Sequence, residues 1–241
     1  MGSSRLPGKV LSDIYGKPML LRQVERIKRS KLVKRVIIAT STSNKDDKIV
    51  SFCQDNKIEY FRGPENDVLK RIVYLFEENP ADIHVECYGD SPLIDPEIID
   101  DFVKLFLELK NKTSYISSAI KTSYPPGLEV TVYCPEILKK VDKMIPINDP
   151  LREHVGYNIT RFPEKFNICS IKAPNKFNAP NFYLEVDSKE DLNVIRKIYN
   201  YFISHQQEIF GLKDIINFLK KNPNIIIENS NIERRWKKFR K

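Results

Sequence analysis

The first residues that could do chemistry form the run Ser3-Ser4-Arg5-Leu6-Pro7-Gly8-Lys9. Its hydroxyls, guanidinium, ammonium and backbone N–H groups are the donors that bind polyphosphate oxygens. The candidate phosphate-binding residues are Ser3, Ser4, Arg5 and Lys9. The alternative is a solvated basic loop, because Met-Gly-Ser-Ser is also a common artificial start. A phosphate loop normally follows a strand, so we expect the first strand of the sheet to lie upstream of Met1.

Two aspartates each follow a predicted strand. Asp90 comes after Ile83–Cys87, with Gly89 allowing close approach of a ligand, and Asp187 comes after Phe182–Val186. Ligands of open α/β sheets bind beyond the carboxyl ends of the strands. Carboxylates there can bind Mg²⁺, which prefers oxygen ligands and usually keeps waters and substrate phosphates. Asp90 and Asp187 are therefore the candidate metal ligands, with a helix N-cap as the alternative for Asp187.

Several turns carry polar groups that suit a nucleoside or an acceptor. Backbone amides and short hydroxyls at strand ends can contact a flat base, and arginine or histidine can bind a carboxylate and hydroxyls. His154 could also act as a base, although a surface histidine usually has no such role. The candidates for the nucleoside are Thr40, Ser41, Gly63, Asp67 and Arg71, and those for the acceptor are Tyr124, Glu129, Arg152 and His154.

Alternating strand and helix patterns occupy the first half of the chain. Apolar, β-branched runs predict strands at 36–40, 83–87, 115–120, 129–133 and 182–186. Apolar residues at helical spacing predict helices at 18–30, 46–56, 67–78 and 96–110, and again after Asp187 and over 212–219. This order predicts an α/β, Rossmann-like, mostly parallel sheet with helices on both faces.

The rest of the chain adds two features to a single domain over 1–229. Residues 123–181 are rich in proline and polar residues, so we expect mostly short extended segments that form a lid or a dimerisation arm. Residues 230–241 form a basic tail in which Trp236 and Phe239 alternate with charges, which suits a partner surface or an anionic membrane. A frayed, solvated terminus is the favoured interpretation of this tail.

The net charge and the cysteines limit the classes of function. Six of the eight net positive charges lie in the last eight residues, which leaves +2 for the rest of the chain. A small polyanion is therefore favoured over nucleic acid as the ligand. The widely spaced Cys53, Cys87, Cys134 and Cys169 are typical of reduced thiols. No apolar run is long enough for a membrane span or a signal peptide, so a soluble, cytoplasmic protein is expected.

The assembled motifs resemble those of the CMP-sugar-acid synthetases, and most closely the cytidylyltransferases of spore-coat and other bacterial surface polysaccharide pathways. The resemblance covers nearly the whole chain. It is carried by MGSSRLPGKVL (1–11), GKPML (16–20), ATSTSNKDD (39–47), FRGPENDVLKR (61–71), GDSPLIDPEIID (89–100), YPPGLEV (124–130), REHV (152–155) and VDSKEDL (186–192). Eight ordered matches are far more specific than any one of them.

The resemblance implies CTP-dependent activation of a sugar, expected to be a sugar acid, with release of pyrophosphate. By this likeness Ser3, Arg5 and Lys9 hold the CTP phosphates, and Asp90 and Asp187 bind Mg²⁺. The turns at 40–41 and 63–67, with Arg71, surround the nucleoside, and the acceptor candidates face the sugar. A homodimer is also expected, because relatives commonly pair through the segment that corresponds to 123–181.

Three departures from the family pattern keep a second hypothesis open. The strand that usually ends in Ala-Arg before the phosphate loop is absent, Glu86 stands where relatives generally have arginine, and Glu129 replaces the more usual aspartate. A non-catalytic nucleotide-binding paralogue is therefore the alternative to a cytidylyltransferase. A nucleic-acid-binding role ranks third and would depend on residues 234–241.

Overall fold

The predicted helices of the first half are present in the structure, a computed structural model that describes residues 5–238. They are α1 (Met19–Ile27), α2 (Asp47–Asp55), α3 (Val68–Glu78) and α4 (Pro96–Leu109). Asp67 caps α3 by accepting from the Lys70 N–H at 2.8 Å, and Asp95 caps α4 by accepting from the Glu97 N–H at 2.9 Å. Capping carboxylates satisfy backbone donors that the first helical turn leaves unpaired.

The described strands form three sheets, where the sequence predicted one mostly parallel sheet. Strands β1 (Asp13–Ile14) and β2 (Lys17–Pro18) form a short antiparallel hairpin. Strand β3 (Ile37–Ser41) pairs in parallel with β4 (Glu59–Gly63). The third sheet has the order β5-β7-β6-β8. Its members are β5 (His84–Glu86), β6 (Tyr115–Ser117), β7 (Thr131–Tyr133) and β8 (Ile168–Ser170).

The four-stranded sheet is mixed, which corrects the expectation of mostly parallel pairing. Strand β7 is antiparallel to both β5 and β6, and only β6 and β8 are parallel. Helices cover both faces, as predicted. Ile116 and Val132 belong to the core that includes α4, whereas the adjacent Tyr115 and Tyr133 belong to the core that includes α3. The two-residue alternation of a strand places these neighbours on opposite faces.

The predicted strand at 182–186 is wrong, and strands β4 and β8 were not predicted. Residues 182–186 are assigned to no strand, and their backbone bonds go to two separate loops. The Leu184 N–H donates to the Pro126 carbonyl and the Val186 N–H donates to the Asp90 carbonyl, each at 2.8 Å. The apolar run is therefore buried, and within residues 5–238 it pairs with no strand. Its contacts carry the chain directly past Asp90.

Residues 123–181 hold more helix than the expected short extended segments. They include α5 (Glu136–Met144) and α6 (Val155–Thr160), and they supply β7 and β8 to the four-stranded sheet. Ile137, Leu138 and Val141 of α5 lie at helical spacing and pack in the same core as Leu69 and Val73 of α3. This part of the chain is consequently built into the domain. Its role as a lid or dimerisation arm stays a prediction.

The C-terminal part is helical, as predicted after Asp187. It contains α7 (Lys189–Ser204), α8 (Leu212–Lys221) and α9 (Pro223–Ile227). The apolar stripe of α7 is buried, with Ile195 and Ile198 fully enclosed. All four cysteines are free thiols, as predicted. Over residues 5–238 no helix has the length and apolar character needed to cross a bilayer.

Candidate active site

The described part of the predicted phosphate loop places Lys9 at the centre of the candidate site. Gly8 has a left-handed backbone with φ 73° and precedes a short 3₁₀ turn over Lys9–Leu11. This conformation favours glycine because a side chain there would be strained. A Cβ on Gly89 would lie 3.5 Å from Val10 Cγ1, so the loop packs against the turn that carries Asp90. Ser3 and Ser4 lie outside the described residues.

Lys9 connects the two predicted metal ligands. Its ammonium donates to Val186 O at 2.6 Å and to Asp187 Oδ1 at 3.0 Å, and it lies 3.4 Å from Asp90 Oδ2. Arg5 Nη2 lies 2.5 Å from the other oxygen of Asp187. Four candidates from three distant parts of the sequence are thus brought together. The convergence expected from the motifs is present in the fold.

Burial and charge shift the two carboxyl groups in opposite directions. Burial would raise the pKa of Asp187, but Lys9 and Arg5 more than offset it, so this pKa lies below its usual value. Burial raises the pKa of Asp90, an effect that Lys9 opposes and the nearby Asp187 increases. The two cations therefore act mainly on Asp187.

The residues around Lys9 fit a divalent cation bound together with a nucleotide. Among residues 5–238 no cluster of three or more His, Cys, Asp or Glu side chains forms a self-contained metal site. Mg²⁺ is commonly held by one or two carboxylates, with substrate phosphates and waters as its other ligands. Asp90 and Asp187 match that donor set, since their side chains stay 31% and 16% exposed.

Thr40 and Ser41, expected in a turn, are the last two residues of β3, and they are held by a residue that the sequence did not single out. Both hydroxyls donate to Asp46 Oδ2, at 2.8 Å from Thr40 and 2.6 Å from Ser41, and the Ser41 N–H donates to the same oxygen at 3.1 Å. Although burial opposes the shift, hydrogen bonds, those from Ser41 and Thr40 among them, hold the pKa of Asp46 well below its usual range. The signal for it was the NKDD sequence at 44–47, shortly after β3.

Gly63 and Arg71 lie against each other at the end of β4. A Cβ on Gly63 would lie 2.7 Å from Arg71 Cγ, so only glycine allows this approach. Arg71 Nη1 donates to Pro64 O at 3.3 Å, while its Nε is buried and has no hydrogen-bond partner within residues 5–238. Burial lowers the pKa of Arg71, with Asp46 and Asp67 opposing the shift. A buried donor without a partner is a natural contact for a ligand oxygen.

Arg152 is placed differently from its predicted role in sugar contact. Its side chain is 3% exposed, its Nε donates to Asp67 Oδ2 at 2.8 Å, and its Nη2 pairs with Asp142. Lys70 also pairs with Asp142, at 2.8 Å. Arg152 therefore links the start of α3 to α5. Sugar binding by this guanidinium stays a prediction that the contacts do not favour.

The remaining acceptor candidates are separated from one another. Tyr124 is 4% exposed and lies edge-on to the ring of Phe102 in the core. His154 precedes α6, and its Nε2 lies 3.2 Å from Glu153 Oε1. Glu129 accepts from the Gly127 N–H at 2.7 Å, and its charge helps to raise the pKa of Glu185. Glu129 thus lies close to the segment that leads into Asp187.

The residue that departs from the family pattern, Glu86, is buried at the end of β5. Burial raises its pKa, and the Tyr88 and Tyr133 side chains and the Gly156 N–H oppose that shift. A Cβ on Gly156 would lie 3.6 Å from Glu86 Oε2, so this carboxyl group faces the start of α6. Glu86 therefore contacts the 123–181 segment, and it precedes Asp90 by four residues.

The expectation of a frayed C-terminus is wrong for several residues of the basic tail. The side chain of Arg234 is fully buried and pairs with Asp191, with Nη2 lying 2.8 Å from Oδ1. Trp236 Nε1 donates to Glu185 Oε1 at 2.5 Å. The Glu233 carbonyl accepts from Arg5 Nη1 at 3.1 Å. The tail thus packs beside the candidate site, which its composition did not indicate.

Comparisons with known proteins identify the family of this chain. The sequence model of the cytidylyltransferase family matches residues 1–223. The chain is 29% identical to the spore coat polysaccharide biosynthesis protein SpsF of Bacillus subtilis, over 95% of this chain and 94% of that protein. A solved cytidylyltransferase from Leptospira borgpetersenii superposes with a TM-score of 0.87 at 31% identity, covering 97% of this chain and 95% of that one.

A more distant structure supports the fold alone. A CMP:2-keto-3-deoxy-manno-octonic acid synthetase complexed with CTP superposes with a TM-score of 0.61 at 18% identity. It covers 83% of this chain and 95% of the other. The fold and the site together define an α/β nucleotidyltransferase. Within that class, the sequence model and the Leptospira structure identify the family: this chain belongs to the cytidylyltransferase family.

Proposed function

We propose that this chain transfers the cytidylyl group of CTP to a hydroxyl of a sugar and releases pyrophosphate. The observation that carries the proposal is the convergence of Lys9 and Arg5 with Asp90 and Asp187. The sugar hydroxyl would attack the α-phosphorus while the bond to pyrophosphate breaks in line. Such reactions depend mainly on positioning and on neutralising phosphate charge.

Asp90 and Asp187 would hold Mg²⁺ in this reaction. The ion would supply Lewis-acid polarisation of the phosphate oxygens and balance their charge. Lys9 and Arg5 would exchange their contacts with Asp187 for contacts with phosphate oxygens. The hydroxyl groups of Ser3 and Ser4 would donate to the same phosphates. Each well-placed donor of this kind is worth roughly 3–4 kcal/mol in the transition state.

The nucleoside would lie against the edge formed by β3 and β4. Thr40 and Ser41 end β3, and Gly63 ends the parallel strand β4, where it pairs with Ser41. The turn that carries Asp67 follows β4. The unpaired Nε of Arg71 supports its role as a nucleotide contact. Among the acceptor candidates of 123–181, Glu129 would face the sugar, and Arg152 would act through its ion pairs with Asp67 and Asp142.

Substitution of the two carboxylates tests the proposal. We expect Asp90→Asn and Asp187→Asn each to lower CTP- and sugar-dependent pyrophosphate release by at least about 100-fold. Asp101→Asn is the control, because Asp101 is 75% exposed on α4 and pairs only weakly with Lys104. Release that is undiminished in both site variants would overturn the metal assignment.

A non-catalytic nucleotide-binding paralogue remains the second candidate. It is favoured by Glu86, a buried carboxyl group at the position where relatives generally have arginine. Calorimetry with CTP and Mg²⁺ separates the two functions. Binding without pyrophosphate release on any sugar supports the paralogue, and turnover by this chain excludes it.

The finer part of the proposal concerns the sugar and the assembly. The relationship to a spore coat polysaccharide biosynthesis protein supports a precursor of a surface polysaccharide, and we propose a sugar acid as the acceptor. A panel of sugar acids and neutral sugars with CTP tests this choice directly. We further propose a homodimer paired through 123–181, where Ile147 is 76% exposed. Sedimentation equilibrium measures the subunit number.

A further inference from the structure

The segment 229–238, named here the C-terminal clasp, lies beyond the part of the chain that the family model matches. It nevertheless folds against the segment that leads into Asp187. Arg234 Cζ lies 4.4 Å from the centre of the Tyr183 ring, and Lys237 Nζ donates to the Tyr183 hydroxyl at 3.0 Å. The clasp is therefore a structural neighbour of the candidate site.

Arg234 makes a two-pronged contact with Asp191. Its Nη1 donates to Asp191 Oδ2 at 3.0 Å and its Nη2 donates to Oδ1 at 2.8 Å. Asn229 Nδ2 donates to Asp191 Oδ1 at 2.8 Å. Both charged side chains are 0% exposed. Such a bidentate pair fixes the orientation of the carboxylate as well as its charge.

Asp191 in turn holds the backbone of Asp187. Its Oδ2 accepts from the Asp187 N–H at 3.0 Å and from the Ser188 N–H at 2.9 Å. Asp191 Oδ2 is also an atom that Arg234 contacts. One oxygen therefore joins the clasp to the turn that presents the Asp187 carboxylate to Lys9 and Arg5. If the Asp191 carboxylate rotates, the Asp187 and Ser188 N–H groups that it binds must move as well.

A second contact holds the other side of the same turn. Trp236 donates to Glu185 Oε1 at 2.5 Å, and Arg234 Nη1 lies 3.6 Å from that oxygen. Glu185 precedes Asp187 by two residues, and Asp191 follows Asp187 by four residues. The clasp consequently fixes the chain on both sides of Asp187.

We propose that Arg234 is a positioning residue for Asp187, and that the C-terminal clasp sets the affinity of the site for a divalent cation bound with a nucleoside triphosphate. The inference rests on the proposed function only for the role of Asp187. Mutation of a residue that holds a metal ligand in place through hydrogen bonds typically lowers metal affinity or activity by about 10- to 100-fold.

Direct binding of Mn²⁺ with CTP tests the proposal without turnover. Arg234→Lys keeps the charge but loses the two-pronged geometry. We expect it to raise the Kd of the full chain for Mn²⁺–CTP, measured by electron paramagnetic resonance titration, by about tenfold. Arg26→Lys is the matched control, because Arg26 is a buried arginine that donates to Ile94 O at 2.8 Å and Phe210 O at 3.0 Å. It should leave the Kd within about twofold.

The outcomes separate positioning from general support of the fold. An Arg234→Lys protein with unchanged Kd, or two variants with equal increases, overturns the proposal. If Arg234→Lys does not fold, Trp236→Phe decides instead, and a Kd within about twofold of the wild-type value then overturns it. Tight Mn²⁺–CTP binding by the wild type without pyrophosphate release would count against the proposed function alone.

Discussion

Lys9 Nζ lies 3.0 Å from Asp187 Oδ1, although the two residues are 178 positions apart in the sequence. The same ammonium contacts Val186 O at 2.6 Å. One cation thus joins the phosphate loop to the turn before α7. It also holds a positive charge where two carboxylates meet.

Replacement of Lys9 tests the value of that charge for the reaction. We expect Lys9→Met to lower kcat/KM for CTP by about 100- to 1000-fold, because an ammonium aimed at phosphate oxygens stabilises the charge that develops in the transition state. The measurement is initial-rate pyrophosphate release at saturating sugar. A decrease smaller than about tenfold would contradict the assignment.

Lys17→Met is the control for a lost lysine. Lys17 forms an exposed ion pair with Glu25 at 2.5 Å in the hairpin that follows the phosphate loop. Exposed pairs of this kind contribute little to stability. We expect kcat/KM for CTP to stay within about twofold of the wild-type value.

The sequence was sufficient to predict the residues that converge, because a basic loop identified Lys9 and apolar runs that end in an aspartate turn identified Asp90 and Asp187. Their contacts are present, although only Asp90 follows a strand of the structure. The helices of the first half were also predicted, since their apolar stripes are regular. Local patterns therefore identified the principal candidate site.

Partners that meet only through the tertiary fold were beyond the sequence. The sequence made Arg152 a candidate sugar contact. Its ion pair with Asp67 was missed because the two residues are 85 positions apart and no local pattern connects them. Arg234 lay in an apparently solvated basic tail, yet its partner Asp191 lies 43 residues earlier. The strand predicted at 182–186 failed because periodicity shows burial but does not show whether a neighbouring strand exists.

Asp46 provides a prediction about the nucleoside edge. Asp46→Asn removes the negative acceptor shared by Thr40 and Ser41, and we expect it to lower the free energy of unfolding by roughly 1–3 kcal/mol. The KM for CTP should rise because these hydroxyls lose their fixed orientation. Urea unfolding at neutral pH and initial-rate kinetics are the two measurements.

The loss of unfolding free energy in Asp46→Asn should depend on pH, because the pKa of Asp46 is lowered in the folded protein. Its contribution is complete above the pKa of an unfolded aspartate, about 3.9, and is lost as pH falls through the lower folded value. The difference in stability between wild type and Asp46→Asn should therefore shrink below about pH 4. An unfolding difference that is independent of pH would show that the charge of Asp46 is not what matters.

Glu86 gives the opposite dependence on pH. Burial raises its pKa, so its stabilising contribution is complete below the pKa of an unfolded glutamate, about 4.3, and is lost as pH rises through the folded value. Glu86→Gln keeps the shape and removes the ionisation. We expect its Tm relative to wild type to increase as the pH rises above about 4.3.

The groups around Glu86 allow a matched comparison. Tyr88, Tyr133 and the Gly156 N–H surround it, and the Cys87 pKa is raised partly by its charge. Glu25→Gln serves as control, because Glu25 is 39% exposed in a surface pair and its removal should leave the pH profile of Tm unchanged. Parallel profiles for wild type and Glu86→Gln would contradict the buried ionisation.

Arg152 distinguishes structural support from sugar binding. Arg152→Met leaves Asp67 without its Nε partner and Asp142 with Lys70 alone. We expect the free energy of unfolding to fall by roughly 3 kcal/mol, the lower end for a broken buried pair, because Lys70 still compensates Asp142. Arg161→Met, which breaks a partly exposed pair with Asp149, should cost less than about 1 kcal/mol. At temperatures well below the Tm, the KM for the sugar should stay within about threefold of wild type, since the buried Arg152 guanidinium is already paired with Asp67 and Asp142. A KM increase of about 100-fold in a protein that remains folded would instead place Arg152 in contact with the sugar, because the loss of a charged hydrogen bond to a ligand is worth roughly 2–3 kcal/mol.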